Sequence, residues 1–372
     1  MKSEVVVVYA ERKPAKGVNN PGPHQIYRNP RVCVEERELG ELHPDEVRVR
    51  MLYAGLCGTD VHLVETDPGT GYVRCSAPAD IPAGGRIIGH EGVGEIIAAG
   101  AHIRHVKPGD VVTFESIIVC HYCDVCRKGR FNQCRNARLL GMEKDGLFGT
   151  IVDVPGMLAH DVKAMAKTPK GLKAAACIEP AGVAYVGCQN ARITAGDVVA
   201  IFGAGPIGLL CAMLSKNIFG ASVVYVVEPV EFRRKLAHKW SDYVCGNDEF
   251  FQNCKHRVDV VLEASGHTEN ISRIFPRLNA EGRVALLARS GEPLVVKEID
   301  HMITNAISIA GSRGHLGGAF DRIISFYCNG QLPLDEMVTE EVVGPAGIKT
   351  LLDAPARVTQ QNCKVLGHFG GD

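Results

Sequence analysis

The sequence has no excess of charge of either sign. Its 372 residues include 41 Lys and Arg against 42 Asp and Glu, which gives a formal net charge of −1. It also has no block rich in Lys and Arg. Proteins that bind DNA or an anionic membrane surface usually carry a strong positive field. We therefore expect neither a nucleic-acid partner nor a membrane partner.

Long apolar runs are absent as well. The N-terminal stretch MKSEVVVVYAERK contains a short apolar run that charged residues close. This run is too short for the hydrophobic region of a signal peptide and far too short to span a bilayer. Internal repeats and low-complexity segments are lacking. The predicted location is the cytoplasm, and the chain is long enough for two domains.

Cysteine, by contrast, is abundant, with 14 residues. In a cytoplasmic protein this favours free thiols and metal sites over disulfides. Cys120, Cys123, Cys126 and Cys134 follow the pattern Cys-x2-Cys-x2-Cys-x7-Cys. Four thiolates on one short lobe form a closed tetrahedral site that usually holds Zn²⁺. An iron–sulfur cluster is the alternative, but the long gap before Cys134 and the missing Cys-Pro ending favour a structural zinc.

The pattern of apolar residues changes near residue 170. Before it, short runs rich in β-branched residues and broken by Gly and Pro predict strands at Glu46–Tyr53, Gly92–Ala99 and Val111–Phe114. After it, strands and helices alternate, which predicts a parallel, doubly wound sheet. The predicted strands there are Val198–Phe202, Val223–Val227, Val258–Glu263 and Arg283–Ala288, and the predicted helices are Ala174–Val186 (interrupted at Pro180), Gly205–Phe219 and Glu231–Lys239.

A glycine motif lies between the first strand and helix of this alternating part. Its sequence is Gly203-Ala204-Gly205-Pro206-Ile207-Gly208, a G-x-G-x-x-G in the strand-to-helix context that a dinucleotide site requires. Gly203 would form the tight turn, and Gly205 would let a pyrophosphate approach the helix N-terminus. Gly208 would let the helix pack closely on the sheet. The alternative is a glycine-rich turn without a ligand.

Glu228 stands twenty residues after Gly208, at the end of the next predicted strand. An acidic side chain there accepts hydrogen bonds from the adenosine ribose and repels a 2′-phosphate. We therefore predict NAD as the cofactor. Arg233 and Arg234 lie a turn or more beyond Glu228 and keep NADP open as the minor alternative.

Further metal donors occur in the segments Cys57–His62 (CGTDVH) and Gly89–Gly92 (GHEG), and at Glu179. Together they offer a thiolate, an imidazole and carboxylates, which suit Zn²⁺ with a position left for water or substrate. Taken alone, a cysteine before a Gly-Thr turn is more often a packing residue, and a histidine beside a glutamate is more often part of a surface pair. Their occurrence beside the four-cysteine lobe and the glycine motif favours a second, open zinc site.

These motifs, in this order, resemble those of the zinc-containing medium-chain dehydrogenase/reductase family, the alcohol and polyol dehydrogenase group. The resemblance extends from Glu46 to about Gly330. It implies an α/β fold, with a GroES-like β-rich catalytic domain and an inserted Rossmann domain. The implied boundaries are residues 1–168, with the zinc lobe at 115–140, then residues 169–310 and residues 311–372. The family also implies a homo-dimer or homo-tetramer.

Glu179 points to one branch of this family. The alcohol dehydrogenases carry cysteine at this position, whereas glutamate resembles the sorbitol, glucose, threonine and aminocyclitol dehydrogenases. The loop from Cys57 to His90 is long and rich in Gly and Pro, as in sugar-active members. Residues Gly146–Ile151 depart from the family pattern, since they read GLFGTI where members read Gly-Gly-Phe-Ala-Glu-Tyr. No role is carried over to that segment.

The resemblance also implies a ligand set for the catalytic zinc. Cys57 and His90 would bind the metal, and Glu91 and Glu179 would share the remaining positions, with the direct ligand among the two glutamates left open. Asp60 would accept the free ring N–H of His90 and fix its tautomer. The alternative role of Asp60 is to cap its own turn.

Proton transfer would run through two side chains near Cys57. An alcohol bound to Zn²⁺ loses its proton more readily, and hydride then passes to the nicotinamide. Thr59 would accept the alcohol proton, and His62 would pass it to solvent. For His62 the alternative is an ordinary surface histidine. Arg313 and His315 follow the last predicted Rossmann strand and lie either beside nicotinamide and substrate or in a plain surface loop.

We therefore expect a zinc- and NAD-dependent dehydrogenase acting on a small molecule. Its substrate would carry a secondary alcohol on a polyhydroxylated sugar, polyol or aminocyclitol, with a threonine-like amino alcohol as the alternative. A zinc-free reductase on the same scaffold is disfavoured by Cys57, His90 and the four-cysteine lobe. A non-enzymatic zinc protein is disfavoured by the neutral charge.

Overall fold

The first part of the chain folds mainly as β-strands. The computed structural model describes residues 1–370. The elements of the first part are β1 (Lys2–Arg12), β2 (Tyr27–Glu38), β3 (Glu46–Leu56), α1 (Gly58–Val64), β4 (Arg86–Ile87), β5 (Glu91–Ala99), β6 (Val111–Phe114), β7 (Ile117–Ile118), β8 (Arg138–Leu139), β9 (Ile151–Pro155) and β10 (Ala159–Asp161).

Strands and helices then alternate. This middle part contains α2 (Pro169–Ala175), α3 (Ile178–Asn190), β11 (Val198–Phe202), α4 (Pro206–Asn217), β12 (Val223–Val227), α5 (Glu231–Ala237), β13 (Tyr243–Cys245), α6 (Asn247–Asn253), β14 (Val258–Glu263), α7 (Glu269–Ile274), β15 (Leu278–Leu286), α8 (Ile299–Thr304) and β16 (Ser308–Gly311).

The last part of the chain returns to the first. Its elements are α9 (Ala319–Cys328), β17 (Val338–Val343), α10 (Gly344–Leu352), α11 (Pro355–Gln361) and β18 (Lys364–His368). Strand β18 pairs antiparallel with β3, so the sheet order is β10-β6-β5-β3-β18-β17, with β9 also paired to β3. No helix between residues 1 and 370 is both long and apolar enough to cross a membrane.

The middle part forms a parallel sheet in the order β13-β12-β11-β14-β15-β16. This is the strand order of a Rossmann fold. Residues Val199–Phe202 of β11 have no exposed surface, because helices cover both faces of the sheet. The prediction of an α/β fold with a doubly wound sheet is thus confirmed. Ligands of such sheets bind outside the carboxyl ends of the strands, where the strand order reverses beside β11.

The expected helix Ala174–Val186 differs in where it is interrupted. The break falls at Ala176 and Cys177, between α2 and α3, and not at Pro180. Pro180 is the third residue of α3, within its first turn. The N–H groups of a first turn have no helical partner, so proline costs little there.

The N-terminal hairpin was not expected. Strand β2 pairs with β1 along most of its length, from Lys2 opposite Glu38 to Arg12 opposite Tyr27. Most side chains of β2 are only partly buried. Without a regular alternation of buried and exposed residues, its sequence lacks the usual signal of a strand.

Candidate active site and metal centres

The four cysteines of the lobe converge. One sulfur atom from each of Cys120, Cys123, Cys126 and Cys134 lies within 4.8 Å of the others. The backbone N–H of Cys120 donates to Sγ of Cys134 at 3.4 Å, and Nδ2 of Asn136 donates to Sγ of Cys120 at 3.5 Å. Donors directed at sulfur stabilise the thiolate, which is the form that binds zinc. This donor set fits Zn²⁺ in a closed tetrahedral site.

A second group of donors forms where β3 ends and β5 begins. These strands are antiparallel neighbours with Gly55 opposite Glu91. Cys57 follows β3 and His90 precedes Glu91, so their side chains meet at one end of the strand pair. Ligand atoms of Cys57, His90 and Glu91 all lie within 4.8 Å of one another. Sulfur, nitrogen and oxygen donors at this separation suit a catalytic Zn²⁺ with an open position.

The turn before His90 is fixed by glycine. Gly89 has φ +91°, and a Cβ on it would lie 2.4 Å from the ring of Phe148. A Cβ on Gly146 would lie 2.1 Å from the carbonyl oxygen of Gly89. Phe148 and Gly146 belong to the segment that departs from the family pattern. In this chain the segment therefore supports the backbone that carries His90 and Glu91.

Asp60 lies fully buried behind His90. Its carboxylate accepts hydrogen bonds from the backbone N–H of Cys57 at 3.0 Å and of Gly89 at 3.3 Å. Its Oδ1 lies 3.6 Å from Nδ1 of His90, a buried nitrogen without another hydrogen-bond partner. Burial raises the pKa of Asp60. The structure thus places Asp60 both as a cap of its own turn and beside the imidazole of His90.

Lys364 is a member of this site that the sequence analysis missed. It begins β18, next to β3, and its Nζ forms a buried ion pair with Oε2 of Glu91. The same Nζ donates to the carbonyl of Leu56 at 3.0 Å. A Cβ on Gly55 would lie 2.6 Å from Oε2 of Glu91 and 2.8 Å from Cε of Lys364, so a larger residue there would displace the pair.

The pKa values of Glu91 and Lys364 are both raised. Burial raises the pKa of Glu91, although the ammonium of Lys364 acts against this. For Lys364 burial acts to lower the pKa, but the charges of Glu91 and Cys57 outweigh it and the pKa is raised. Lys364 therefore stays charged inside the protein.

Glu179 stands beside the three donors but outside their group. In the first turn of α3, its Oε1 accepts a hydrogen bond from Oγ of Ser116 at 2.7 Å and lies 3.2 Å from Nε2 of His315. Burial opposes ionisation of Glu179, but His315 lowers its pKa to about 2. Nδ1 of His315 is buried without a hydrogen-bond partner. Of the predicted ligands, the structure thus brings together Cys57, His90 and Glu91 and holds Glu179 in a neighbouring network.

Thr59 and His62 lie on α1, three residues apart and hence on one face of the helix. Oγ1 of Thr59 lies 3.7 Å from Sγ of Cys57. The side chain of His62 is 50% exposed, and its Nδ1 lies 3.4 Å from Oε2 of Glu65. Thr59 therefore lies beside the metal donors, and His62 lies at the protein surface.

The glycine motif forms the turn between β11 and α4. Gly203 has φ +94°, and a Cβ on Gly208 would lie 1.9 Å from the carbonyl oxygen of Gly203. Helix α4 begins with Pro206 and Ile207 in its first turn, and Gly205 is its N-cap residue. The turn therefore depends on glycine and leaves the helix N-terminus open to an anionic group.

Glu228 and Arg233 border this turn. Glu228 is 3% exposed and accepts hydrogen bonds from the backbone N–H of Ala204 at 2.6 Å and of Val230 at 2.8 Å. Nη1 of Arg233 lies 3.8 Å from the position of a Cβ on Gly205. A carboxylate and a guanidinium thus stand on the glycine turn, where the ribose and phosphates of a dinucleotide bind.

Comparisons with known proteins agree with this architecture. The sequence matches the family described as "Alcohol dehydrogenase GroES-like domain" over residues 43–170 and that described as "Zinc-binding dehydrogenase" over residues 206–327. The L-threonine 3-dehydrogenase of Thermococcus kodakarensis is 33% identical, with 81% of this chain and 85% of the relative covered.

Two further relatives are similar over most of the chain. The scyllo-inosose 3-dehydrogenase of Thermotoga maritima is 30% identical, with 82% of each chain covered. A solved Thermotoga maritima structure described as an alcohol dehydrogenase has 26% identity and a TM-score of 0.88, with 98% of this chain and 100% of that chain covered. The chain therefore belongs to the zinc-containing medium-chain dehydrogenase/reductase family, in its polyol and threonine dehydrogenase branch, and is an enzyme that acts on alcohols with a nicotinamide cofactor.

Proposed function

We propose that this enzyme is a zinc-dependent dehydrogenase that oxidises a secondary alcohol of a sugar, polyol or aminocyclitol with NAD. The observation that carries the proposal is the convergence of Cys57, His90 and Glu91 within 4.8 Å. These residues would hold the catalytic zinc, with Glu179 ready beside them. The four cysteines of the lobe would hold a structural zinc. We retain residues 1–168 and 311–372 as the proposed catalytic domain around a Rossmann domain at 169–310.

The bound groups supply a Lewis acid at the alcohol oxygen and a hydride acceptor at the nicotinamide ring. The protein contributes the position of the alcohol and the path of its proton. Thr59 lies beside Cys57 and would accept the hydroxyl proton, which His62 at the helix surface would release to water. Asp60 would hold the ring of His90, because its carboxylate lies 3.6 Å from Nδ1.

Glu228 supports NAD over NADP. Its carboxylate is pinned at the glycine turn by the N–H groups of Ala204 and Val230. A 2′-phosphate would have to approach this negative charge. Arg233 is the cation left near the turn, because Arg234 is paired with Glu231. We assign Arg233 to the cofactor phosphates.

A threonine-like amino alcohol is the second candidate substrate. It is favoured by the similarity to L-threonine 3-dehydrogenases, whereas the similarity to scyllo-inosose 3-dehydrogenase favours a cyclitol. A cytoplasmic location and a homo-dimeric or homo-tetrameric state stay predictions.

The test is NAD reduction by the zinc-loaded enzyme with polyols, sugars, aminocyclitols and L-threonine. We expect turnover with one compound class, and loss of turnover in C57A and H90A. A matched control is C328A, which removes an exposed cysteine from α9 and should retain activity. Near-full turnover in C57A or H90A would contradict the proposed metal centre. Equal or better turnover with NADP would contradict the assigned cofactor.

A further inference from the structure

Arg289 and Arg313 lie at neighbouring positions on the carboxyl edge of the Rossmann sheet. Strands β15 and β16 are parallel neighbours with Leu286 opposite Gly311. Arg289 follows the end of β15 by three residues, and Arg313 follows the end of β16 by two. The N–H of Ser312 donates to the carbonyl of Leu286 at 2.9 Å and keeps the two strand ends together. Ligands of doubly wound sheets bind at this edge.

The loop that carries Arg313 also faces the catalytic centre. Two residues later, His315 is fully buried, with Nε2 at 3.2 Å from Glu179. Between them Gly314 has φ +75°, and a Cβ on it would lie 2.4 Å from Oδ1 of Asn132 in the zinc lobe. Neighbours in the catalytic domain and in the Rossmann sheet thus hold the backbone on both sides of Arg313.

The charge of Arg289 acts on a buried residue of the loop between Cys57 and His90. Cys75, in this loop, is 2% exposed. The charges of Asp60, Arg289 and Cys57 all act on its thiol, whose pKa burial raises to about 12. The charge of Arg289 and the charges of two groups at the metal site therefore act on the same buried thiol.

Neither guanidinium has a counter-ion. Within residues 1–370 no carboxylate oxygen lies within 4.0 Å of Arg289 or Arg313. By contrast Arg283, which lies within β15, is paired with Asp197, with 2.8 Å between Nη2 and Oδ1. Arg289 is exposed as a residue, but its pKa is lowered by the partial removal of its guanidinium from water and by the positive charge of Arg313. Two like charges are thus held close together at a ligand-binding edge, an arrangement that an anion between them would stabilise.

We propose that Arg289 and Arg313 bind an oxyanion of the substrate, either a carboxylate or a phosphate monoester. This assignment rests on the proposed function. It places the reacting hydroxyl of the substrate at the metal donors and the oxyanion of the same substrate at the edge of the Rossmann sheet. A guanidinium matches both oxyanions with two parallel hydrogen bonds. The cofactor pyrophosphate does not fit, because the glycine turn follows β11, two strands from β15 and three from β16, at about 4.8 Å per strand.

The test compares a neutral hexitol with its phosphate and with the corresponding aldonate, and adds L-threonine as an α-carboxylate. The full-length zinc-loaded enzyme is used. The measurements are kcat/KM from NAD reduction and, without need of turnover, calorimetric binding of each compound to the NAD-saturated enzyme. The phosphate and carboxylate arms distinguish the two sources of the oxyanion.

We expect one anionic compound to be preferred over the neutral hexitol. R289Q and R313Q should each lower its kcat/KM by about 10- to 100-fold, the usual effect of losing a hydrogen bond to a charged group. Turnover of the neutral hexitol should stay within about twofold, as should all activities of R12Q, a control that removes an exposed arginine at the end of β1. R289K and R313K keep the charge without the planar fork and should lose less.

Turnover and binding that favour the neutral hexitol would overturn the proposal and leave the dehydrogenase function intact. Equal losses for neutral and anionic compounds in R289Q and R313Q would also overturn it. Binding of an anion that requires both arginines, without oxidation of any compound, would support the arginine site and contradict the proposed function instead. A thermal melt of each variant checks that it is folded.

Discussion

Replacing Lys364 by methionine tests how much the buried ion pair next to the metal donors contributes to stability. Lys364 is fully buried and Glu91 is 1% exposed. The ammonium also donates to the carbonyl of Leu56 at 3.0 Å. Methionine fills nearly the same space without charge. K364M therefore leaves the carboxylate of Glu91 inside the protein without its cation.

The expected loss of unfolding free energy depends on how the carboxylate of Glu91 responds to the removal of the ammonium. If it stays charged, removal of one partner of a buried pair costs about 3 to 5 kcal/mol. If it takes up a proton, the cost is about 1.4 kcal/mol for each pH unit above an unfolded-state pKa of about 4.3, or about 4 kcal/mol at pH 7. The carboxylate of Glu91 adopts whichever of these two responses costs less free energy. K364M should therefore lose at most about 3 to 4 kcal/mol of unfolding free energy at pH 7, because the raised pKa of Glu91 in the wild type already carries part of this cost.

The loss has a definite dependence on pH. Burial raises the pKa of Glu91 even with Lys364 present, and removal of the ammonium raises it further. A group with a raised folded-state pKa binds more protons in the folded than in the unfolded protein. K364M should therefore match the wild type at pH values below the folded-state pKa of Glu91 in the wild type, and fall behind by about 1.4 kcal/mol per pH unit between that pKa and the higher folded-state pKa of Glu91 in K364M.

Urea unfolding of metal-depleted protein at several pH values measures this loss. The double variant E91Q/K364M removes both charges and should recover most of it, and K255M, at an exposed loop position, is the matched control. Zinc loading should reduce the loss if Glu91 binds the metal, because the cation then compensates the carboxylate. A loss of less than about 1 kcal/mol at pH 7 would refute the buried pair.

Four further substitutions test other parts of the site. C120S should remove one zinc per chain, measured by elemental analysis, and lower the thermal midpoint; lost activity with fold and zinc content intact would contradict a structural role. E228S should raise the ratio of kcat/KM for NADP over NAD by about tenfold or more, the usual effect of removing a specific charged group from a site. T59V should lower kcat by about 10²-fold or more if Thr59 carries the proton, while T59S retains activity. G208A should abolish NAD binding in a fluorescence titration, because its Cβ would lie 1.9 Å from the carbonyl oxygen of Gly203.

The parts of this enzyme that sequence predicted best are local in the chain. The ligands of the zinc lobe lie within fifteen residues of one another, and the glycine motif lies between a strand and a helix. Strands Val198–Phe202, Val223–Val227 and Val258–Glu263 have the predicted bounds. They are continuous apolar runs because they are buried on both faces, which is a signal that survives without any knowledge of the tertiary structure.

The network around the metal donors was harder to predict, because it joins distant segments. Lys364 and Glu91 are 273 residues apart, and His315 and Ser116 are 199 apart. A lysine at the start of an apolar strand is typical of a solvent-exposed strand end. Only the pairing of β18 with β3 turns it inward. No spacing rule connects such residues, because the contact depends on sheet order.

The same network explains why the sequence does not identify which glutamate binds the metal directly. Asp60, Glu91 and Glu179 are 0%, 1% and 6% exposed, and Lys364 is the fully buried cation near them. Lys364 pairs with Glu91, while Glu179 and Asp60 lie beside the imidazoles of His315 and His90, and a protein interior tolerates this many carboxylates only if protons or a metal ion compensate them. Burial raises the pKa of Asp60 and of Glu91, so protons and a divalent cation compete for the same charge. The donor types alone indicate zinc, but the group of buried carboxylates that a cation would compensate exists only in the folded protein.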